Sequence, residues 1–406
     1  MNLKIYNIIF FSLLLIASTS AFSQSTLENY LKTAAKNNPE LKATFSEYMA
    51  AMEKVPQVGA LPDPQVAFGY FIEPVETRVG PQKWKFNLSQ NFPWFGLLDA
   101  KENVATEMAN AKFEKFENTK SNLFFEVKTA FYNYYFIEKA IKITKENMNI
   151  LQVFKRLSLV KIEAGKASIV DELRVELELN DLENQLALFV DTKNTIQTKF
   201  NNLLAREVSK SIVTPDTLWQ DKLPFDKLNM LDEIYAANHQ LKSINHKLNA
   251  FVNQEVVAKK EGLPKFNIGL NYTVVDNGKD AFLFPSIGIK IPVFRKKYKA
   301  LIKEAKLLQE AETNKKEAKK NVLSTIYTSS YKNFSDGNRR ITLNKKQAQI
   351  AKKILDVLMT SYSTNAKDFE EVLRIERQLL KYELAYQQAL IDKNAAVAFM
   401  QYLIGK

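Results

Sequence analysis

Residues 97–206 form a stretch of 110 residues that contains no proline and a single glycine, Gly165. Helices of globular domains seldom exceed about 25 residues, so a pattern of this length indicates a coiled coil, a transmembrane span or a helical repeat. No window of the stretch is apolar enough to cross a bilayer as a helix. The stretch therefore predicts two antiparallel helices that turn back at Gly165. The first would have about 67 residues and a length on the order of 100 Å.

The apolar residues of this stretch recur with heptad spacing, which keeps one seam of a helix facing a neighbouring helix. Before the glycine, the seam consists of Leu123, Val127, Ala130, Tyr134, Ile137 and Ile141. After the glycine, it consists of Leu179, Leu182, Leu186, Phe189, Ile196, Phe200 and Leu203, with Lys193 as a polar member.

The same pattern occurs again about 200 residues later, which indicates an internal duplication. Residues 164–186 (AGKASIVDELRVELELNDLENQL) align with residues 364–386 (TNAKDFEEVLRIERQLLKYELAY), so that Glu176 meets Glu376. The polar member of the heptad seam also recurs, as Lys393. The alternative is that two long helices share heptads by chance. Because the turn and the strand-like segments before it repeat in the same order, we favour a duplication.

The first 23 residues have the features of an export signal peptide. Lys4 provides a charged start, residues 8–17 an apolar core, and residues 21–23 a small-x-small cleavage site. The alternative is an uncleaved anchor, for which the apolar run is short. We therefore expect an exported protein. Its sequence has no cysteine, which leaves neither disulfides nor a lipid-bearing N-terminal cysteine.

The composition favours long helices over an all-β or α/β fold, because only 11 glycines and 12 prolines occur while 25% of residues are charged. The formal net charge is +12. Export argues against nucleic acid as the partner of this charge. Solvated helix faces or anionic lipid headgroups are the interpretations that remain.

Shorter elements complete each half of the chain. A helix is predicted over residues 26–59, with a local break at Asn38-Pro39, and its counterpart over residues 227–261. Strands are predicted near residues 65–72 and 84–92, and again near 266–275 and 285–293. Residues 207–226 form an irregular joint between the halves, and Asp336-Gly337 marks an interruption of the second long helix.

Each predicted strand has about nine residues, the length of a tilted transmembrane β-strand. Four strands cannot close a barrel, and only helices or closed barrels span a bilayer. Three chains together would supply a 12-stranded barrel. We expect its outer face to carry the strand aromatics Phe68, Tyr70, Trp84, Phe86, Tyr272 and Phe284. The alternative is a small soluble sheet that caps a helical bundle.

The duplicated plan and three local sequences resemble the outer-membrane efflux proteins, or TolC-like channels, over nearly the whole predicted mature chain. These are LPDPQVAFGY, SQNFPWFGLLDAKENVA before the long helix, and the glycine turn followed by an acidic-hydrophobic run. The PDP and ETRVGPQ stretches are similar to those of members linked to heavy-metal efflux. The resemblance leaves the cargo open among metal ions, drugs, dyes and peptides.

The resemblance implies a mainly α protein with a small β part. Its two tandem repeats of helix, strand, strand, long helix and helix would cover residues 24–206 and 227–406, with helical hairpins at 97–206 and 298–404. A homotrimer would form a 12-stranded β-barrel in outer-membrane lipid, continued by a helical barrel in the periplasm. It would conduct solutes from an inner-membrane pump and a periplasmic adaptor (membrane fusion) protein, without cofactor, metal or catalysis.

The resemblance also implies contacts at the two hairpin turns. Gly165 matches the turn glycine of the family, and Asn365 occupies that position in the second repeat. Both would contact the adaptor. Asn tolerates the left-handed backbone conformation that such turns use.

A gate that closes the tunnel is implied at the same turns. Asp171 matches a gate aspartate and Tyr362 a gate tyrosine. Lys367 stands where arginine is frequent, and a lysine offers a point charge in place of a two-pronged fork. Glu371 matches an acidic ring position, and Arg374 stands where a second acid can occur. The alternative for all five is that they are solvated helix charges.

No enzyme constellation accompanies these features. The histidines, His239 and His246, lie two turns apart on one predicted helix, where packing is the ordinary role. No HExxH sequence and no glycine-rich phosphate loop occurs. Two alternatives to a channel stay open: a periplasmic coiled-coil adaptor or scaffold without a barrel, and a secreted binding or enzymatic protein.

Overall fold

A computed structural model describes residues 26–275, 281–364 and 369–406 of the chain. The predicted signal peptide therefore lies outside the described residues. The fold is mainly helical with one four-stranded antiparallel sheet, in the order β1-β2-β3-β4.

The elements follow the same order in both halves of the chain. The first half contains helices α1 (residues 26–37), α2 (Pro39–Met52) and α3 (Lys54–Gly59), strands β1 (Gln65–Val75) and β2 (Gln82–Phe92), and helices α4 (Leu97–Glu163) and α5 (Ile169–Leu203). The second half contains helices α6 (Met230–Ala237) and α7 (His239–Glu261), strands β3 (Lys265–Val275) and β4 (Ala281–Lys290), and helices α8 (Arg295–Thr364) and α9 (Phe369–Leu403). The duplicated helix, strand, strand, long helix and helix plan is confirmed.

The helices before each strand pair break at equivalent asparagines. The break at Asn38 was predicted, whereas the one at Asn238 was not. Each asparagine amide donates to the carbonyl oxygen of the last residue of a returning helix: Asn38 to Leu203 at 3.1 Å and Asn238 to Leu403 at 2.9 Å. Terminal helix carbonyls lack a partner within their own helix, so these amides satisfy them. The two bonds are related by a shift of 200 residues along the chain.

Strand β4 differs from its predicted range of 285–293, since it begins at Ala281 and ends at Lys290. Lys290 pairs with Lys265, the first residue of β3, so residues beyond it have no strand to pair with. Pro292 also lacks the N–H that a ladder requires. Strands β1 and β2 each reach 11 residues and are longer than predicted.

The predicted interruption at Asp336-Gly337 is wrong, because α8 is continuous through both residues. A Cβ at Gly337 would lie 2.9 Å from the Cβ of Lys393 and 3.2 Å from its Cα. The glycine therefore permits close approach of α8 and α9. Gly337 therefore affects helix packing, and α8 continues through this residue although glycine has a low helix propensity.

The described residues divide into two compact units. The helical unit comprises residues 26–42, 118–238 and 322–406, and the sheet unit comprises residues 43–117 and 239–321. In the helical unit, a core joins the four helices of the two hairpins, with buried Phe154, Val175, Leu355, Phe369 and Val372 among its members. Residues 204–229 contain no helix or strand.

In the sheet unit, the strand register gives the sheet one apolar and one polar face. Directly paired residues share a face, and the row Phe68, Phe86, Tyr272 and Leu283 crosses all four strands. The adjacent row runs through Ala67, Asn87, Asn271 and Phe284. On this polar face, the Asn87 amide donates to Asn271 at 2.8 Å and the Asn271 amide to Ser286 at 3.1 Å.

Five of the six aromatic residues expected on one face lie there. Phe68, Tyr70, Trp84, Phe86 and Tyr272 are joined by ring contacts with centroid distances of 4.6–6.4 Å. The expectation for Phe284 is wrong, because its pairing with Asn271 puts it on the polar face. Leu283 takes the corresponding apolar position. The alternation of side chains divides the residues of a strand between two faces. Only the pairing with the neighbouring strand decides which of these faces lie on the same side of the sheet.

Replacing Gly337 by alanine is expected to destabilise the protein. The added methyl group would collide with the rigid base of the Lys393 side chain, and such overpacking costs about 1–3 kcal/mol. This loss exceeds the gain of up to about 1 kcal/mol in helix propensity. The midpoint of thermal unfolding in detergent, measured by circular dichroism, should be lower for Gly337→Ala than for the wild type. Lys332→Ala on the exposed face of the same helix is the control, and an equal or higher midpoint for Gly337→Ala would contradict the packing role.

Candidate functional site

The first hairpin turn is built around Gly165, which has a φ of +67°. Its N–H donates to the Ile162 carbonyl at 2.9 Å, and the N–H of Lys166 donates to the Lys161 carbonyl at 2.8 Å. These bonds satisfy the last carbonyls of α4 in the manner of a glycine C-cap. No atom lies within 4 Å of a Cβ built at Gly165, so the backbone conformation alone favours glycine.

The second hairpin turn is described only in part. Asn365 and Lys367, which we predicted as a turn residue and a gate residue, lie outside the described residues. The flanking residues Tyr362 and Glu371 are described. Tyr362 lies in the last turn of α8, and Glu371 lies in the first turn of α9.

Charged side chains connect the two hairpins near these turns. Arg174 on α5 lies 3.8 Å from Asp171 on the same helix and 3.2 Å from Glu370 on α9. Arg374 instead lies 3.6 Å from Glu371 on its own helix. The pairs are partly exposed, so each stabilises the structure by about 1 kcal/mol or less. Of the two equivalent arginines, Arg174 therefore bridges the hairpins in the described structure.

Tyr362 is buried and lies beneath a lysine that the sequence did not single out. The Lys161 ammonium lies 3.9 Å from the centre of the tyrosine ring and donates to the Tyr362 carbonyl oxygen. Phe369 packs against Tyr362, with a distance of 5.0 Å between the ring centres. The available signal for Lys161 was its place in the last turn of α4, where a cation is favoured by the helix dipole.

The Tyr362 hydroxyl has no hydrogen-bond partner among the described residues. Burial raises the pKa of this phenol, and the negative charge of Asp171 raises it further. The structure thus brings Asp171 and Tyr362 into one electrostatic neighbourhood. It does not bring Glu371 and Arg374 into that neighbourhood by any described contact.

Glu376 is a buried carboxylate that the repeat alignment noted without assigning it a role. Its side chain has no exposed surface, and neither carboxylate oxygen has a hydrogen-bond partner among the described residues. Burial, and then the charge of Glu178, raises the pKa of Glu376 to about 8, although Arg377 opposes the shift and Glu383 adds to it. Its counterpart Glu176 is exposed, with a carboxylate oxygen 3.3 Å from the Lys155 ammonium.

The two histidines pair with carboxylates of the neighbouring helix α4. The Nδ1 of His239 lies 2.6 Å from Glu114, and the Nδ1 of His246 lies 2.7 Å from Glu107. Across the described ranges, no group of three or more histidine and acidic side chains could hold a metal ion. Both pairs join α4 to α7 within the sheet unit.

The helices of the described ranges include none that is long and apolar enough to cross a membrane.

Comparison with solved structures defines the fold. The outer-membrane channel OprN shares 16% identity at a TM-score of 0.77, and the match covers 94% of this chain and 90% of that chain. CusC shares 14% identity at a TM-score of 0.80, with 94% and 92% covered. The outer membrane protein VceC from Vibrio cholerae shares 13% identity at a TM-score of 0.78, with 95% and 97% covered. The chain has the fold of the bacterial outer-membrane channels.

The family follows from a second comparison. Residues 30–205 match the model of the family described as outer membrane efflux protein. The resemblance inferred from the duplicated plan is confirmed. Among curated proteins, no match is found.

Replacing Glu376 by glutamine should change how stability depends on pH. Between about pH 4.5 and pH 8, the unfolded chain ionises at this position while the folded chain keeps the proton. The free energy of unfolding therefore falls as pH rises through this range and levels off above it. Glutamine cannot ionise, so Glu376→Gln should match the wild type near pH 5 and exceed it at pH 8.5 by up to about 4 kcal/mol.

Melting temperatures measured in detergent at both pH values test this expectation. Glu176→Gln is the matched control, because it makes the same change at the exposed position of the first repeat. The control should show no gain at high pH. Parallel pH profiles for wild type and Glu376→Gln would contradict the shifted ionisation.

Proposed function

We propose that this chain is the outer-membrane channel of a tripartite efflux or type I secretion system, extending from the outer membrane into the periplasm. The observation that carries the proposal is the distribution of residues on the sheet. Apolar side chains cover one face and are exposed, while the other face carries mainly asparagine, serine, glycine and lysine, with Phe282 and Phe284 as apolar exceptions on β4.

A sheet that is stable in water buries its apolar face, whereas the apolar face of this sheet is exposed. Val66, Ile268 and Ile287 on this face are 76%, 52% and 78% exposed, whereas Asn271 and Thr273 on the polar face are buried. A contiguous apolar surface of this kind marks a membrane or protein contact. Transmembrane barrels place apolar residues against lipid and polar residues towards a water-filled lumen.

The edges of the sheet supply the argument for oligomerisation. Strands β1 and β4 each pair on one side only within the described structure. An unpaired strand edge is not tolerated in lipid, because each open backbone group there costs several kcal/mol. Pairing β4 of one copy with β1 of the next closes the sheet, and three copies give a barrel of 12 strands.

Exposed apolar side chains on the helices provide contact surfaces for the same trimer and for partner proteins. Leu173 and Leu177 on α5 are 51% and 68% exposed, whereas Leu373, the repeat counterpart of Leu173, is buried. Val357 on α8 is 65% exposed. We assign these surfaces to neighbouring copies and to a periplasmic adaptor, which would connect the channel to an inner-membrane pump.

Solutes would pass through the channel without any bond being made or broken. The competing function, a periplasmic coiled-coil scaffold, offers no reason for a sheet with an exposed apolar face. Such a scaffold would instead bury that face within its own chain.

We assign the gate to contacts that link the two hairpins near their turns. Asp171 and Glu370 hold Arg174 between the hairpins, and Lys161 covers Tyr362. Opening the tunnel would separate these groups. Gly165 and Asn365, at the two turns, are the proposed adaptor contacts.

Membrane fractionation followed by light scattering in detergent tests the oligomeric channel. With the detergent contribution subtracted, we expect the mass of three chains in protein extracted from outer membranes. A monomer or dimer recovered from the soluble periplasmic fraction would overturn the channel and favour the scaffold.

Single-channel recording in planar bilayers tests the gate. Arg174→Gln should raise the closed-state conductance, because it removes the ion pair between α5 and Glu370 on α9. Asp171→Asn should have the same effect, because it removes the carboxylate that helps to hold Arg174 in place. Arg374→Gln is the matched control, since its described contact is with its own helix. Unchanged conductance in both test variants would refute the gate assignment while leaving the channel intact.

A further inference from the structure

The polar face of the sheet carries charge of one sign only. Its paired positions, which follow from the strand register, contain Lys85, Lys265 and Lys290 and no acidic residue. The paired positions of the apolar face contain no charged residue at all. The paired part of the sheet is therefore positively charged, and this charge lies entirely on the polar face.

The positive charge of this face is not neutralised by the chain. All three lysines are exposed, and none of them has an ion-pair partner among the described residues. Glu261, the acidic residue closest to Lys265 in the sequence, lies 3.5 Å from the Lys101 ammonium instead. Glu73 lies in the part of β1 where the register shifts, outside the paired positions. The lysines are therefore available to attract an anion.

The placement of two of these lysines opposes the stability of the sheet. Lys265 and Lys290 are directly opposite each other at the last paired position of β3 and β4. Like charges in this arrangement repel each other and destabilise a sheet. Asparagine, which occupies other positions of the same face, would be polar without this repulsion. A role in binding or conducting anions accounts for the pair, whereas the fold does not.

The lysines lie at two levels of the polar face. Lys85 pairs with Thr273, which is eight positions from Lys265 on β3. At about 3.3 Å per residue this separation is roughly 26 Å along the strand. The apolar band of a transmembrane barrel has a similar height, about 25 Å. Between the two levels the face is uncharged, and its asparagine amides donate to one another across the strands.

We propose that the lysines of the polar face select solutes with net negative charge, so that the channel conducts anions in preference to cations. This inference rests on the proposed channel function, in which the polar face lines the lumen. In a trimer, Lys265 and Lys290 would form a ring of six ammonium groups towards one end of the barrel. Lys85 would form a ring of three towards the other end. Rings of basic side chains are the means by which anion pores attract their ions.

Reversal potentials in planar bilayers, measured under a gradient of dilute KCl, test this selectivity. The field of each ring then reaches far into the lumen, because the Debye length is about 30 Å at 0.01 M salt. We expect the wild type to pass chloride more readily than potassium. In Lys265→Glu/Lys290→Glu, the ratio of chloride to potassium permeability should fall by about tenfold or more, because a local potential of several kT changes sign. Lys85→Glu should lower the ratio by a smaller factor, since its ring has half the charge.

Lys265→Arg/Lys290→Arg is the matched control, because it keeps both charges at the same positions. It should retain the permeability ratio of the wild type. Lys265→Gln/Lys290→Gln should give a ratio between those of the wild type and the glutamate variant. Light scattering in detergent, which should give the trimer mass for every variant, shows that each one is assembled before it is recorded.

Three results would overturn the proposal. The first is a wild type that passes potassium as readily as chloride. The second is an unchanged ratio in both glutamate variants, which would assign the selectivity to the gate near the hairpin turns. The third is an equal loss of selectivity in the arginine control, which would show that charge is not the cause. Failure of the channel function itself is distinguishable, because the wild type would then give no conductance above that of the bare bilayer.

Discussion

The structure depends on one constraint, which is that backbone groups at the edge of a sheet must find partners when the sheet has no water around it. Strands β1 and β4 leave open edges in a sheet whose apolar face is exposed. In lipid such edges can be satisfied only by closure with further strands. A single chain supplies four, so the sheet requires other copies of itself. Oligomerisation is then a condition of the fold in the membrane. The long helices that follow the strands must oligomerise with them.

Duplication supplies the two strand pairs of each chain, and equivalent positions of the two repeats differ in their surroundings. Asn38 and Asn238 make the same capping bond, so the returning helix is capped in the same way in both repeats. Other positions diverge: Glu176 is an exposed ion-pair partner, while Glu376 is buried without a hydrogen bond. A buried carboxyl group stays neutral because burial disfavours its charged form. The burial of Glu376 thereby gives the second hairpin a contribution to stability that depends on pH.

The contacts at the hairpin turns are individually weak, which suits the gate that we propose there. Partly exposed ion pairs such as Arg174 with Glu370 contribute about 1 kcal/mol or less. The buried contact of Lys161 with Tyr362 lies beside them and adds a cation–π interaction. A closed state held by several small terms can be shifted by a partner that offers a similar number of contacts. The apolar core next to the turns keeps the hairpins themselves intact.

The sequence by itself determined the long helices, the turn at Gly165, the duplication and the presence of four strands, because these follow from local periodicity, glycine and proline. Tertiary structure decided what depends on pairing between distant segments. Register placed Phe284 on the polar face, the approach of Lys393 required Gly337 within an unbroken helix, and packing buried Glu376. The contact of Lys161 with Tyr362 joins residues 201 positions apart. Local propensity carries no information on contacts between residues that are so far apart in the sequence, since strand register and helix contacts are set only when separate elements meet.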